Sequence, residues 1–424
     1  MRLEIGEIEI EDVKFGESRI EDHVLYIDRE SLRSRILEDE RIASAKVMLA
    51  KPGERKRIIP VKDVIEPRVK VEGSGGVFPG VIANEDSVGS GKTYVVKNVV
   101  VVTTGQIVGY QEGIIDMTGP GAKYTPFSDT FNIILKIDPI EELEEHEHEE
   151  AIRLAGLKVA AEIANVAKED TPDIVETYET TIPGKSNEGL PKVVYVIQAL
   201  AQGLLHDTYL YGVDCKKILP TILNPLETMD GAIVSGNCVS ACDKNTTYHH
   251  QNDPVVEELF KEHGKTLHFT GIIVSPTKTK FEEKERCSSY AAKLADMVGA
   301  DGAIVTEEGF GNPEADLMLH AKKLEERGIK TVIMGDEFAG RDGKSQGIAD
   351  TTPEADAFVS TGNANETIEL PELEILGDSS SADEIAGRDK RIDGKLRVEL
   401  QALIGSTNGL GYSKLTCRFS GEDR

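Results

Sequence analysis

Leu3 and Ile5 alternate with charged residues, and Ile8 and Ile10 resume the alternation one step out of register after Gly6. Period-two alternation marks a strand with one buried face, and the slip at Gly6 predicts a bulge. Further strands are predicted at YVVKNVVVVTT (residues 94–104) and TFNIILKID (130–138), with turn-forming segments at GSGGVFPG (73–80) and MTGPGAKYTPFS (117–128). No long helical period interrupts this region, so residues 1–140 are expected to form a β-rich N-terminal domain.

The acidic run EELEEHEHEE (141–150) marks a change of period. Beyond it Ile152, Ala155, Val159, Ile163 and Val166 recur at steps of three and four, as on an amphipathic helix. Strand and helix patterns then alternate: a strand at PKVVYVIQAL (191–200), a helix near 215–223 and a strand at DGAIVSGN (230–237). After a polar gap come a strand at 267–275, a helix at 281–298, a strand at DGAIVTEEGFGN (301–312), a helix at 313–328 and a strand at 330–337. Such alternation predicts an α/β fold whose sheet is mostly parallel and doubly wound, with helices on both faces. DGAIVSGN and DGAIVTEEGFGN share five identical residues. Both loops are expected to leave the carboxyl ends of buried strands, where open α/β sheets place ligands.

Composition narrows the partners. Lys and Arg total 48 against 75 Asp and Glu, a formal net charge of -27, and no basic run stands out. Nucleic acid and anionic membranes are therefore poor partners. The most apolar stretch is interrupted by Lys97 and Asn98. It is far shorter than the ~20 residues of a spanning helix. The acidic, alternating N-terminus is unlike a secretion signal, and five cysteines in 424 residues suit reduced thiols better than a disulfide framework. A soluble, cytoplasmic protein of two or three domains is expected.

Most candidate sites have a plain structural reading. SVGSGKT (87–93) looks like a phosphate loop, but Asp86 stands where the pattern needs its first glycine, and a strand follows. His146 and His148 would point about 160° apart on a helix, which suits a solvated acidic linker rather than shared ligation. Cys287 keeps step with Ala291, Leu294 and Val298, and Cys417 shares a strand face with Leu415 and Phe419, so both read as core. Cys215 precedes two lysines that would lower its pKa, but it has no companion group.

SGNCVSACDKNTTYHH (235–250) is different. It holds two cysteines within five residues and a histidine pair that begins seven positions after the second. Cys238, Cys242, His249 and His250 supply zinc-binding atoms, although adjacent histidines seldom converge on one tetrahedral ion. The C-x3-C spacing departs from the C-x-x-C of thiol redox pairs. A third reading is two inert loop thiols. The fourth is self-cleavage, in which a thiolate attacks the preceding carbonyl, and elimination and hydrolysis of the resulting thioester leave an N-terminal pyruvoyl group. That shift needs a strained peptide, an activated thiol and donors for the oxyanion. Ser235, Gly236, Ser240 and Ala241 allow close backbone approach, while Asn237, Lys244, Asn245, Thr246 and Thr247 offer donors. The spacing leaves all four readings open and does not choose between Cys238 and Cys242.

GNCVSACDKNTTYHHQNDP, with the chain along essentially its whole length, resembles the component B proproteins of the glycine, sarcosine and betaine reductases, and more distantly the proline reductase proprotein. The resemblance implies cleavage between Ala241, which supplies the scissile carbonyl, and Cys242, which becomes the pyruvoyl residue. It implies two products that divide the α/β region into 141–241 and 242–424. The cofactor it implies is this pyruvoyl group, with no metal or nucleotide. Glycine would be held as a Schiff base while a selenolate displaces ammonia on the way to acetyl phosphate. The chain contains no selenocysteine. The implied partners supply it: a selenocysteine-containing gamma subunit of component B and the small selenoprotein component A, with component C forming acetyl phosphate and a thioredoxin system providing electrons. Glu307, Glu308 and Asn312, at the end of the second echoing strand, are expected to orient the substrate; His249 and His250 are the expected bases, and Cys238 an assistant to the shift. Sarcosine or betaine is the alternative substrate, and a scaffold subunit with an unprocessed Cys/His site is the reading from another class.

Overall fold

The computed structural model describes residues 1–107, 113–180, 189–202, 208–236, 245–378, 385, 387–389 and 395–410. The chain is mixed α/β. The strand Arg2–Glu9 pairs with Gly91–Lys97 without a break in register, so no bulge occurs at Gly6. The slip in the pattern has another cause. Leu3 and Ile5 enter one hydrophobic core and Ile8 enters a second, because alternate residues of one strand face opposite ways and both faces are covered. Gly6 itself is needed because the Tyr94 ring lies 2.7 Å from where a Cβ would sit.

The apolar run 94–104 also serves two places. It splits into Gly91–Lys97 and Val99–Thr104 at Asn98, whose φ of 64° is a left-handed conformation that asparagine tolerates. The first strand joins a four-stranded sheet with Ile174–Glu179, Arg2–Glu9 and Arg68–Glu72. The second joins a six-stranded sheet with Gly113–Asp116, Lys56–Ile65, Phe131–Pro139, Ile42–Ala50 and Glu374–Gly377. The helix Glu145–Asn165 lays Ile152, Val159 and Ile163 into the core between them. Its Gly156 stands where a Cβ would meet Thr103 at 2.6 Å, close packing gained at a helix-propensity cost of about 1 kcal/mol. The helix starts inside the acidic run, so the expected solvated linker is in fact its first turns, where carboxylates suit the dipole. His148 is buried there, and Glu149 pairs with Arg153 at 2.9 Å and accepts from Tyr209 at 3.0 Å.

Beyond residue 190 a second six-stranded sheet runs in the order Thr221–Leu223, His268–Pro276, Lys192–Ala199, Gly302–Thr306, Lys330–Glu337, Phe358–Asn363. Its pairings are parallel except at the first edge. Helices Phe281–Met297 and Asn312–Glu325 cover one face through Ala291, Ala295, Leu317 and Ala321. Helix Pro254–Glu262 presents Val255, Val256 and Leu259 to the other face, where Leu3 and Ile5 also pack. Strand order reverses beside Lys192–Ala199, and the ends of that strand and of Gly302–Thr306 therefore lie where open α/β sheets gather ligands.

Two expectations need correction. The helix expected near 215–223 is a turn at Cys215–Lys217 followed by the edge strand Thr221–Leu223; the helix comes later, at Pro225–Met229, where Asn224 and Glu227 form a capping box. In DGAIVSGN only Ile233–Ser235 is strand, and it pairs antiparallel with Thr208–Leu210, outside the parallel sheet. Asp230 is taken up elsewhere: its carboxylate accepts from Lys70, the Gly89 N–H at 2.8 Å and Thr93 at 2.6 Å. That contact also explains SVGSGKT, whose Gly89 amide and Thr93 hydroxyl face a resident carboxylate where a phosphate loop would hold its anion.

Arg57 and Asp116 form a fully buried bidentate pair at 2.6 and 2.8 Å, and Arg57 also donates to the Pro371 carbonyl at 3.1 Å. The pair therefore ties the C-terminal region to the N-terminal sheet. Asp116→Ala leaves a buried guanidinium without its counter-charge. The expected loss of unfolding free energy is ~3–5 kcal/mol, read from the urea midpoint.

Candidate functional site

Cys238, Ala241 and Cys242 lie outside the described residues. The chain on both sides of them is held in place. Upstream, the Ser235 N–H donates to Thr247 Oγ1 at 3.0 Å. That hydroxyl donates to Asp63 at 2.6 Å, and the Thr247 N–H donates to the other Asp63 oxygen at 2.9 Å. Downstream, the Asn245 N–H donates to Glu308 Oε1 at 2.9 Å, and Asn245 Oδ1 accepts from Asn408 at 2.7 Å.

Glu308 is the centre of this arrangement. It lies two residues past the strand Gly302–Thr306, beside the point where strand order reverses, and is buried. Its Oε2 accepts from the Leu200 N–H at 2.7 Å, just past the central strand, and from Thr208 Oγ1 at 3.1 Å. Its Oε1 also lies 3.9 Å from His250 Nε2, with both side chains 1% exposed. The two echoing loops thus converge on one carboxylate, although only one of them leaves a strand of the parallel sheet. A carboxylate held by two amides and a hydroxyl beside an imidazole can accept, hold and return a proton away from water.

The adjacent histidines have different surroundings. In the helix Thr247–Gln251, His249 Nδ1 lies 2.8 Å from Thr246 Oγ1, and its ring meets Phe127 edge-on at 5.6 Å between centroids. Burial pushes the His249 pKa down to about 3, so its ring is neutral. His250 faces Glu308 instead. This geometry suits His250 to proton exchange and His249 to capping.

Glu307 is buried with its backbone N–H on the Met334 carbonyl, and its side chain lies against Gly335, leaving no room there for a Cβ. Asn312 opens the helix Asn312–Glu325, exposed, with its carbonyl taking a hydrogen bond from Lys284 at 2.9 Å. The fold therefore brings Glu308, His249 and His250 into one neighbourhood and sets Asn312 at the surface. Cys215 and Cys287 are buried in the core, and Cys417 lies outside the described residues. Sequence reasoning missed Asp63, Thr208 and Asn408, which no motif spacing connects to the cysteines. A signal existed for Asp63: KRIIPVKDVIEPRVK sets charges inside an apolar run, and Arg57, Lys62, Asp63, Glu66 and Arg68 are all buried.

This fold and site belong to a reductase component: the chain is a member of the glycine/sarcosine/betaine reductase component B subunit family, matched over residues 1–418. Among individual proteins it is 52% identical to the glycine reductase complex component B subunits alpha and beta of Acetoanaerobium sticklandii, over 99% of this chain and all of that one. It is 49% identical to the sarcosine reductase complex component B subunit alpha of Peptoclostridium acidaminophilum, again over 99% of this chain and all of the relative. A D-proline reductase proprotein of Acetoanaerobium sticklandii is 26% identical over 78% of this chain and 54% of its own length. No solved structure matches. Among the described residues no helix is long and apolar enough to cross a membrane.

The His249 environment predicts a pH dependence. An unfolded imidazole takes up its proton near pH 6.5, whereas the folded one resists down to about 3, so the stability present above pH 6.5 is lost as pH falls through that window. Urea titrations of His249→Gln between pH 7 and 5 are expected to show a slope shallower by up to ~1.4 kcal/mol per pH unit, one proton's worth.

Proposed function

We propose that the chain is a proprotein cut between Ala241 and Cys242, and that Cys242 becomes the pyruvoyl group of a glycine reductase component B. The observation that carries this reading is the buried Glu308 carboxylate, bonded to the amide of Asn245, three residues past Cys242, and facing His250. The names of two relatives add support. The Acetoanaerobium relative is one chain named for two subunits, and the D-proline reductase relative is named a proprotein. The α/β reading in its doubly wound form is supported by helices on both faces of the parallel sheet.

The site suits such a group. Residues 245 to 253 are all buried, so the described chain that follows the cysteine segment is shielded from water. The ketone supplies an electrophilic carbonyl, which no side chain offers, to take up the substrate's amino group. Glu308 and His250 are placed to hold and pass the protons that amine capture and release require. Glu307, next to Glu308 in the chain, and Asn312, at the start of the following helix, are the residues that would orient the substrate. Cys238 assists the acyl shift as a neighbouring thiol. The selenolate that displaces ammonia comes from a selenocysteine-containing gamma subunit or component A, component C releases acetyl phosphate, and a thioredoxin system returns the electrons. Identities of 52% and 49% favour glycine over sarcosine by little, and sarcosine, a secondary amine, is the second substrate to assay.

Intact mass of the denatured, reduced protein, co-produced with its gamma subunit, tests the reading. The expected result is two chains parting between Ala241 and Cys242, the second without a free amino terminus and heavier after borohydride. A single full-length mass overturns it and leaves the scaffold reading. Glu308→Gln is expected to lower acetyl phosphate formation by ~10²–10⁴-fold in the reconstituted system while the chain still folds.

A further inference from the structure

Asn245 to Asp253 reads NTTYHHQND, a polar stretch, yet every residue in it is buried. Such a segment enters an interior only when its polar groups find partners there. One short stretch of the N-terminal region supplies most of them. The Gln251 side-chain amide pairs with both backbone groups of Glu66, at 3.0 and 3.2 Å. Asn252 Oδ1 accepts from Arg68 at 2.7 Å, and Asp63 takes both Thr247 donors. From the parallel sheet, Tyr195 donates to Asp253 at 2.9 Å.

Asp63 differs from the other partners in what it reaches. An ionised carboxylate only accepts, so the Thr247 hydroxyl must give its proton to Asp63 and keep a lone pair, and that lone pair receives the Ser235 N–H. One side chain therefore fixes residues on both sides of the cysteine segment. The strand Lys56–Ile65 breaks its ladder with Val99–Thr104 between Val61 and Asp63, and an irregularity of that kind re-aims a side chain.

We infer that Asp63, acting through Thr247, is a positioning residue for the processing step: it ties Ser235 to Thr247 and so fixes the separation of the described residues that flank the cysteine segment. The inference rests on the reading of Cys242 as the processed residue. Closing the loop in advance removes entropy that the acyl shift would otherwise lose on the way to its transition state. The same contacts would still join Ser235 to Thr247 after the cut, because they do not depend on the bond between Ala241 and Cys242.

The test follows the rate at which newly synthesised full-length chain is cut, by intact mass, in four proteins. Thr247→Val removes the hydroxyl at nearly constant volume, Thr247→Ser keeps it, and Leu317→Ala weakens the core on the far face of the parallel sheet. Thr247→Val is expected to be cut about tenfold more slowly or worse, Thr247→Ser within about twofold of the parent, and Leu317→Ala at the parental rate although it unfolds at lower urea. Parental cutting of Thr247→Val overturns the inference alone, as does equal slowing of Leu317→Ala, which would make the effect one of general stability. A parent chain that is never cut overturns the processing reading, and the positioning role falls with it.

Discussion

A polar segment buried without losing its hydrogen bonds is the constraint on which the rest of this structure depends. Residues 245–253 carry amides, hydroxyls, imidazoles and a carboxylate into an interior where each unsatisfied group would cost roughly 1–3 kcal/mol. Asp63 and Arg68 from two different sheets, Glu66 from the link between them, Tyr195 from the centre of a third, and Glu308 and Asn408 from the C-terminal half meet that demand. None of these partners is near the segment in sequence. The fold must therefore be interleaved, and its central parallel strand Lys192–Ala199 lies between two strands that come from beyond the cysteines.

The same burial sets the electrostatics. The Asp253 pKa is pushed up to about 7 by burial, against the Tyr195 hydroxyl and two helix amides that favour its charge. His249 moves the opposite way, to about 3, because the interior disfavours charge of either sign. Glu308 sits among donors, two of them backbone amides whose positions the strand ends dictate. A carboxylate presented where strand order reverses is in the place where open α/β sheets gather ligands, and here the sheet brings to that place the chain that flanks its own cysteines.

The misreadings share one physical origin. Apolar periodicity reports how many faces of an element are covered, and not what covers them. The slip after Gly6 and the unbroken run 94–104 each mark a strand that serves two cores, a state that looks like a bulge or one long strand when read in one dimension. The identical DGAIV runs differ in role because Asp230 is drawn into the Lys70, Gly89 and Thr93 cluster, which ends one run as a three-residue strand, while the other stays in the parallel ladder. Residues 145–150 of the acidic run fold as helix because a core already waits for Ile152 and Val159.

Local pattern was enough for the strands and helices between residues 267 and 337 and for a core thiol at Cys287, and it singled out residues 235–250 and the strand end at Glu308, between which the Asn245 to Glu308 hydrogen bond runs. Hydrophobic period and residue chemistry are written along the chain, so they can be read there. Which histidine faces Glu308, which carboxylate holds Thr247, and how two echoing loops from different sheets reach one point were decided only by tertiary structure. Hydrogen-bond partners across a buried interior are chosen by distance and direction in three dimensions, and a lone aspartate in an apolar strand carries no spacing that points to its partner 184 residues away.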